Sequence, residues 1–226
     1  MPSPTSASSA GTRTETSMKL ARDGWPTIAA LVLMMAAGWY VSPWISVCLC
    51  VPLAFVCWFF RDPEREPERP LRDGDFLSPA DGTVVEIEES EHEYTGRAVK
   101  IGIFMSGFNV HVNRFPVTGT VGYAKYVPGK KWFAIAPKAS EINERFYVGA
   151  ESEYGRFVLT QIAGIMARRI APRVKVGDVV RAGGRYGMIK LGSKVDIYLP
   201  PVIKPNVNIG DKVFAGRTII GVKKDG

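Results

Sequence analysis

Hydrophobic and polar positions change their period sharply along this chain of 226 residues. From Gly24 to Phe60 no residue carries a charge, a run that belongs in lipid rather than in the core of a soluble domain. As one straight helix it would measure about 55 Å, nearly twice the hydrocarbon thickness of a bilayer. The interruption Gly38-Trp-Tyr-Val-Ser-Pro43 divides it into two apolar arms of similar length. The pattern therefore predicts a helical hairpin, an anchor over 24–60 whose ends return to one side. Each arm falls short of the ~20 residues that cross comfortably, so the hairpin is re-entrant or thins the bilayer locally. It does not read as a cleaved secretory signal, whose apolar region is shorter and ends in a small-residue cleavage site.

Beyond the anchor the period drops to two. Short β-branched runs alternate with Gly, Pro, Asn and Asp from Asp75 onward: Thr83–Ile87, Val99–Phe104, Thr120–Ala124, Phe157–Ile162 and Lys194–Tyr198. These predict a mostly β (α+β) domain over 75–226. Helical start signals favour a helix over Gln161–Ile170, and Ile135–Phe146 has room for a short helical turn. Residues 1–23 read as a disordered tail, because the Ser, Thr, Ala, Gly and Pro of their first part bury too little surface to order. Residues 61–74 read as a stiff, solvated linker, since Arg61-Asp-Pro-Glu-Arg-Glu-Pro-Glu-Arg-Pro70 disfavours helix and strand alike.

One internal repeat is visible. Val174-Lys-Val-Gly-Asp-Val-Val-Arg-Ala-Gly183 recurs as Val207-Asn-Ile-Gly-Asp-Lys-Val-Phe-Ala-Gly216. Each copy reads as strand, Gly-Asp turn and strand, the hammerhead hairpin of biotinyl and lipoyl carriers. The fold expected is thus a duplicated hammerhead, biotinyl-like β domain behind an N-terminal hydrophobic helical hairpin. No lysine occupies the turns in a carrier's Met-Lys-Met setting, so the hairpin speaks to fold and not to function.

Composition narrows the partners. Lys and Arg number 29 against 22 Asp and Glu, and the first sixty residues hold only Arg13, Lys19 and Arg22 against Glu15 and Asp23. The positive excess belongs to the polar domain and suits an anionic membrane surface, with no aromatic-interleaved basic motif for nucleic acid. Lys19 and Arg22 before the anchor, and Arg61, Arg65 and Arg69 after it, put both flanks in the cytoplasm by the positive-inside bias. Cys48, Cys50 and Cys57 all lie in the anchor, which leaves neither a disulfide framework nor a zinc site and fits a reducing compartment. They read as spectator thiols, with acylation of one of them the alternative.

Candidate chemistry gathers at Leu191-Gly192-Ser193. A serine directly after glycine can attack its own peptide bond, because glycine has no Cβ to shield its carbonyl and tolerates strained torsions; the same dipeptide is also an ordinary turn. Of the histidines, His92 sits among Glu89, Glu91 and Glu93 and reads as solvated. His111 lies in Phe108-Asn-Val-His-Val-Asn-Arg114, where strand alternation gives Asn109, His111 and Asn113 one face. It is a candidate base or a structural histidine. Asp81, in Ser78-Pro-Ala-Asp-Gly-Thr83, is a candidate orienter of that base or a turn residue bonding its own backbone. Together the three supply nucleophile, base and orienter. Arg114, Lys130 and Lys131 are basic enough for a lipid phosphate but read as a solvated face.

The chain resembles the phosphatidylserine decarboxylase proenzymes, in particular their short bacterial and archaeal branch. The matching segments are Phe59-Phe-Arg-Asp-Pro-Glu-Arg65, Leu77-Ser-Pro-Ala-Asp-Gly-Thr-Val84, Phe108–Arg114, Lys138-Ala-Ser-Glu-Ile-Asn-Glu-Arg145 and Arg185-Tyr-Gly-Met-Ile-Lys-Leu-Gly-Ser-Lys-Val-Asp196. The resemblance implies self-cleavage at Gly192-Ser193. Ser193 Oγ, activated by His111 with Asp81 holding the imidazole, attacks the Gly192 carbonyl; the ester breaks by β-elimination, and the dehydroalanine tautomerises and loses ammonia. A β chain of residues 1–192 and an α chain of residues 193–226 result, the latter capped by a covalent pyruvoyl group made from Ser193. That carbonyl forms a Schiff base with the amine of phosphatidylserine and acts as electron sink for decarboxylation to phosphatidylethanolamine, with no pyridoxal phosphate and no metal. The implied partners are the lipid substrate, the membrane and the sister chain of a heterodimer, with higher oligomers open, and the implied location is the cytoplasmic face of the cell membrane. Longer members carry two histidines where this chain has only His111, so one residue is left for processing and turnover. Two other readings stand beside this one: a pyruvoyl enzyme for another serine lipid or a soluble amino acid, and a membrane-tethered biotinyl- or lipoyl-like module without cleavage.

Overall fold

The computed structural model describes residues 18–129, 142–164, 170–189 and 193–224. Its elements run β1 (Met18–Leu20), a 3-10 turn, α1 (Trp25–Val41), α2 (Pro43–Phe59), β2 (Arg61–Pro63), β3 (Phe76–Leu77), β4 (Gly82–His92) and β5 (Gly96–Met105). Then follow β6 (Val112–Arg114), β7 (Gly119–Val127), β8 (Arg145–Ser152), β9 (Gly155–Ile162), β10 (Ile170–Pro172), β11 (Val179–Val180) and β12 (Arg185–Ile189). The chain closes with β13 (Ser193–Leu199), β14 (Ile203–Pro205), β15 (Lys212–Val213) and β16 (Ile219–Lys223). The fold is mostly β with an N-terminal helical pair, and all five strands read from the sequence are present. The helix expected from Gln161 is not: Gln161 and Ile162 continue β9, because both neighbouring strands offer them a ladder, and residues 165–169 lie outside the described residues. Arg145 and Phe146 likewise belong to a strand, β8.

An eight-stranded antiparallel sheet in the order β11-β7-β8-β9-β13-β5-β4-β15 encloses the main core, flanked by the three-stranded sheets β10-β12-β6 and β14-β16-β3. Phe157, Leu159, Val195, Ile197, Ile101, Ile103 and Val148 fill that core from alternate positions of four adjacent strands. The repeated motif closes both edges of the sheet. Gly177 and Gly210 take positive φ (96° and 98°), a conformation open to glycine. In each turn the aspartate caps the backbone three residues back, Asp178 Oδ2 accepting Lys175 N at 2.9 Å and Asp211 Oδ2 accepting Asn208 N at 2.8 Å. The first clasp then pairs with β7 and the second with β4: Gly177 N donates to Val121 O and Gly210 N to Val84 O, both at 2.8 Å. Among the described residues neither copy folds back on itself as a hairpin, since β11 and β15 take their ladders from β7 and β4. The strands they clasp are themselves a repeat, Ser78-Pro-Ala-Asp-Gly-Thr-Val84 against Phe115-Pro-Val-Thr-Gly-Thr-Val121.

The apolar run expected to be an anchor is a helical hairpin. Ser42 leaves helical torsions (φ −162°) between α1 and α2, and Gly38 admits the second arm, since a Cβ there would stand 2.7 Å from Ile45 Cγ2. The helical stretch Arg22–Val41 is long and apolar enough to cross a membrane by length and composition; α2 is shorter. Strands β1 and β2 pair Lys19 with Asp62, so the segments entering and leaving the hairpin run side by side. Residues 18–23, expected within a disordered tail, are therefore ordered, while residues 1–17 lie outside the described residues.

The solvated linker is also corrected. Arg61–Pro63 is a strand, and Asp62, 5% exposed, accepts from Arg114 Nη2 at 3.1 Å and Arg185 Nε at 2.6 Å. Arg65 pairs with Asp81 at 2.9 Å, and Arg69 grips Asp75 through both terminal nitrogens. Ion pairs to the domain, which strand propensity ignores, bind this segment down. Arg114 is thus no part of a solvated basic face, while Lys130 and Lys131 lie outside the described residues. Removing one member of a buried ion pair strands the other charge. Asp62→Ala is accordingly expected to lower unfolding free energy by about 3 kcal/mol in urea titrations, against under about 0.5 kcal/mol for Lys19→Ala, whose pair with Glu64 is exposed.

Candidate functional site

Strand β13 runs between β5 and β9 in the middle of the large sheet, and its register fixes the site. Ser193, its first residue, lies opposite Met105, the last of β5. Alternation turns Ser193 inward with Val195 and Ile197 and turns Lys194 and Asp196 to the other face. Ser193 is fully buried, and its Oγ lies 3.6 Å from Met105 Sδ. The same sulfur accepts Asn113 Nδ2 at 3.7 Å, and Asn113 Oδ1 accepts Gln161 Nε2 at 2.7 Å. Gln161 reaches across because Gly187 has no side chain; a Cβ there would meet its amide at 3.0 Å. Its Oε1 is buried without a hydrogen-bond partner.

His111 sits just before β6, and its carbonyl accepts Ile189 N at 3.3 Å, on the segment leading to Ser193. The imidazole is fully buried against Phe59, ring centres 4.5 Å apart, and neither ring nitrogen has a hydrogen-bond partner of standard geometry. Burial lowers its pKa to about 4, opposed by the Asn109 backbone nearby and reinforced by the positive charge of Arg61. It is therefore a neutral imidazole at pH 7, with a free lone pair in an apolar setting.

Asp81 is engaged elsewhere. Its Oδ1 accepts Ala215 N at 2.8 Å and its Oδ2 accepts Arg65 Nη2 at 2.9 Å. In the second repeat Thr118 Oγ1 accepts Ala182 N at 3.2 Å in the same manner, so the bond to Ala215 belongs to the clasp. It reaches across to the other repeat and not to the aspartate's own turn. Ser193 and His111 are both buried, and the His111 carbonyl is tied to Ile189 at the end of β12, but among the described residues no hydrogen bond joins either side chain to Asp81 or to the other. Gly192 lies outside the described residues. Met105 and Gln161 were not foreseen, since only the strand register brings them to Ser193.

On the opposite face of β13, Lys194 is held by Glu86 and by Asp196, the latter at 3.1 Å. Burial raises the Asp196 pKa against the pull of Lys194. Farther along lies a cleft of about 760 Å³ lined by Glu86, Lys100, Arg145, Tyr147, Tyr198 and His92, among others. His92 is half-buried there among tyrosine rings, 5.0 Å from Tyr198 and 5.3 Å from Tyr147, and not solvated as its acidic neighbours suggest. Among the described residues no group of His, Cys, Asp or Glu is placed to hold a metal ion. A reactive carbonyl at position 193 fits this surround: Lys194, the adjacent amine, is turned away and ion-paired, and the inward lining is the Met105 thioether backed by the amides of Asn113 and Gln161.

Comparison with known proteins agrees with this architecture. The sequence profile of phosphatidylserine decarboxylase matches residues 53–221. A phosphatidylserine decarboxylase proenzyme of Symbiobacterium thermophilum is 43% identical over 205 residues, covering 89% of this chain and 94% of the relative. One from Oleidesulfovibrio alaskensis is 43% identical over 208 residues (89% and 91% covered), and one from Chlorobium luteolum 46% over 169 residues (74% and 79%). With a profile spanning most of its length and relatives alike nearly end to end, the chain belongs to the phosphatidylserine decarboxylase family.

Proposed function

We propose that this protein is a self-processing decarboxylase that converts phosphatidylserine to phosphatidylethanolamine at a pyruvoyl group made from Ser193. The observation that carries the reading is the buried Ser193 hydroxyl at the head of β13, directly after Gly192, in a chain of this family that also buries a neutral imidazole, His111, whose carbonyl accepts Ile189 N of the strand leading to Ser193. The proenzyme naming of the relatives supports cleavage into two chains.

In this mechanism His111 takes the proton of Ser193 Oγ as it attacks the Gly192 carbonyl. Met105 accepts the hydroxyl's hydrogen bond and fixes its rotamer, and the Asn113–Gln161 amide pair holds Met105. Asp81, ion-paired to Arg65, contributes by closing the clasp at Ala215, and a bond to His111 would require it to leave Arg65. The pyruvoyl group supplies the carbonyl that takes up the substrate amine and the electron pair released with carbon dioxide. His111 then returns a proton to the substrate carbon. Phe59 and the apolar residues around the imidazole exclude water, which leaves the substrate carboxylate poorly solvated.

The hairpin anchors the enzyme in the cell membrane with the catalytic domain on the cytoplasmic face. Its paired ends at β1 and β2 and the cations Lys19, Arg22, Arg61 and Arg65 support that orientation. The paired Gly-Asp clasps support a biotinyl-carrier-like origin for the fold, with the two copies exchanged across the sheet.

Ser193→Ala is expected to leave one unprocessed chain on a denaturing gel and no carbon dioxide release from labelled phosphatidylserine; processing in that variant would reject the mechanism. Chain cleavage is expected to stay level as the pH falls through 6.5 and to halve only near 4, because burial keeps His111 neutral. A midpoint at 6.5 would contradict the buried site. The sign for stability is the same: this group's contribution is complete above its unfolded value of 6.5 and is lost as the pH falls through about 4. Gln161→Leu and Met105→Leu, which keep volume but remove polar contacts, should each slow cleavage about tenfold in pulse-chase measurements; unchanged rates would remove the network from the mechanism.

A further inference from the structure

The turn between β5 and β6 presents a large apolar side chain to the outside beside the anchor. Ser106 N and Ser106 Oγ both donate to Asn109 Oδ1 at 2.8 Å, and Asn109 N returns a bond to Ser106 O at 3.1 Å. This closed turn leaves Phe108 75% exposed. Its ring meets Trp58, at the end of α2, edge-on with centroids 5.9 Å apart. Arg61 joins the two: its guanidinium lies 4.1 Å over the Trp58 ring, and it donates to Trp58 O at 2.9 Å and to Phe108 O at 2.7 Å. An exposed phenylalanine on a rigid turn, braced by an arginine and a tryptophan at the foot of an apolar hairpin, has no folding role that requires its exposure. Tryptophan and arginine at the end of an apolar helix are the residues that settle at the boundary of lipid and water.

We propose that the Ser106–Asn109 turn is a second membrane contact, dipping Phe108 into the bilayer beside α2 with Arg61 at the level of the lipid phosphates. This rests on the membrane-bound reading of the hairpin and adds to it a contact made by the catalytic domain itself. The occupant is lipid because the surface is continuous with the exposed apolar residues Phe55 and Trp58 of α2, and because its cation suits an anionic headgroup layer. His111 lies three residues beyond Phe108 and stacks on Phe59, the neighbour of Trp58. The contact therefore holds the segment that carries His111 close to the membrane surface, where a serine lipid presents its headgroup.

The test places a nitroxide label at Phe108→Cys in full-length protein carrying Cys48→Ser, Cys50→Ser and Cys57→Ser, reconstituted in phosphatidylglycerol–phosphatidylcholine nanodiscs. A label at Arg97→Cys, exposed at the far end of β5, is the control. Relaxation by oxygen should exceed relaxation by a water-soluble nickel chelate at position 108 and fall below it at position 97. A water-like ratio at 108 overturns the proposal, whether a protein partner, a substrate gate or nothing covers the turn. Repeating the measurement with Ser193→Ala makes it independent of processing and activity. In the active enzyme, Phe108→Asp should raise KM for bilayer-embedded phosphatidylserine about tenfold more than KM for monomeric dihexanoyl phosphatidylserine. Equal effects on both substrates would place Phe108 in the catalytic pocket and overturn the membrane role.

Discussion

The pairing of β13 between β5 and β9 is the constraint on which the site depends. Ser193 faces Met105 and the buried amides only in this register; a slip of one residue would turn it to the face occupied by Lys194, Glu86 and Asp196 and bring a lysine inward. There the serine would lie among ion-paired charges, and an amine would stand at the proposed site of the reactive carbonyl. Apolar side chains at alternate positions of β13 fix the choice, because Val195, Ile197 and Leu199 must stay with Ile101, Ile103 and Leu159 in the core. The two Gly-Asp clasps pin one end of each outer strand, β11 against Gly119–Thr120 and β15 against Gly82–Thr83.

A second connection joins this interior to the N-terminal helical pair. Phe59 and Phe60 end the hairpin and pack with Val110, Val112 and Met188, so the helices stand on the segment that carries His111. Asp62, a few residues on, accepts from arginines on β6 and β12, the strands flanking His111 and leading to Ser193. The helical hairpin and the candidate site are therefore joined through shared packing and ion pairs. Burial of this histidine outweighs the bond offered by the Asn109 backbone, which is why its proton affinity falls and why it is neutral rather than a cation at neutral pH.

Much of this was readable from residue order. The charge-free run broke where Gly38 and Ser42 allow it to, β-branched runs became strands, and the Gly-Asp repeat marked turns that require positive φ. Ser193 and His111 stood out because their chemistry is local to short motifs. What escaped the sequence was tertiary. Arg61–Pro63 is a strand because Met18–Leu20 pairs with it while Asp62 holds two arginines far along the chain, and Gln161 extends β9 because β8 and β13 flank it. Asp81 looked like a partner for the histidine by residue type, but Arg65, which had been assigned to a solvated linker, takes its carboxylate. Met105 has no signal of its own in the sequence; it enters the site through its place opposite Ser193.

The central claim is that the backbone at Ser193 is the source of the reactive group. The intact mass of the purified, active wild-type protein tests it most directly. The account predicts two polypeptides, with the residue-193 fragment lighter than its serine-headed form by the mass difference between an N-terminal serine and a pyruvoyl cap. A single uncleaved chain that decarboxylates phosphatidylserine would contradict it.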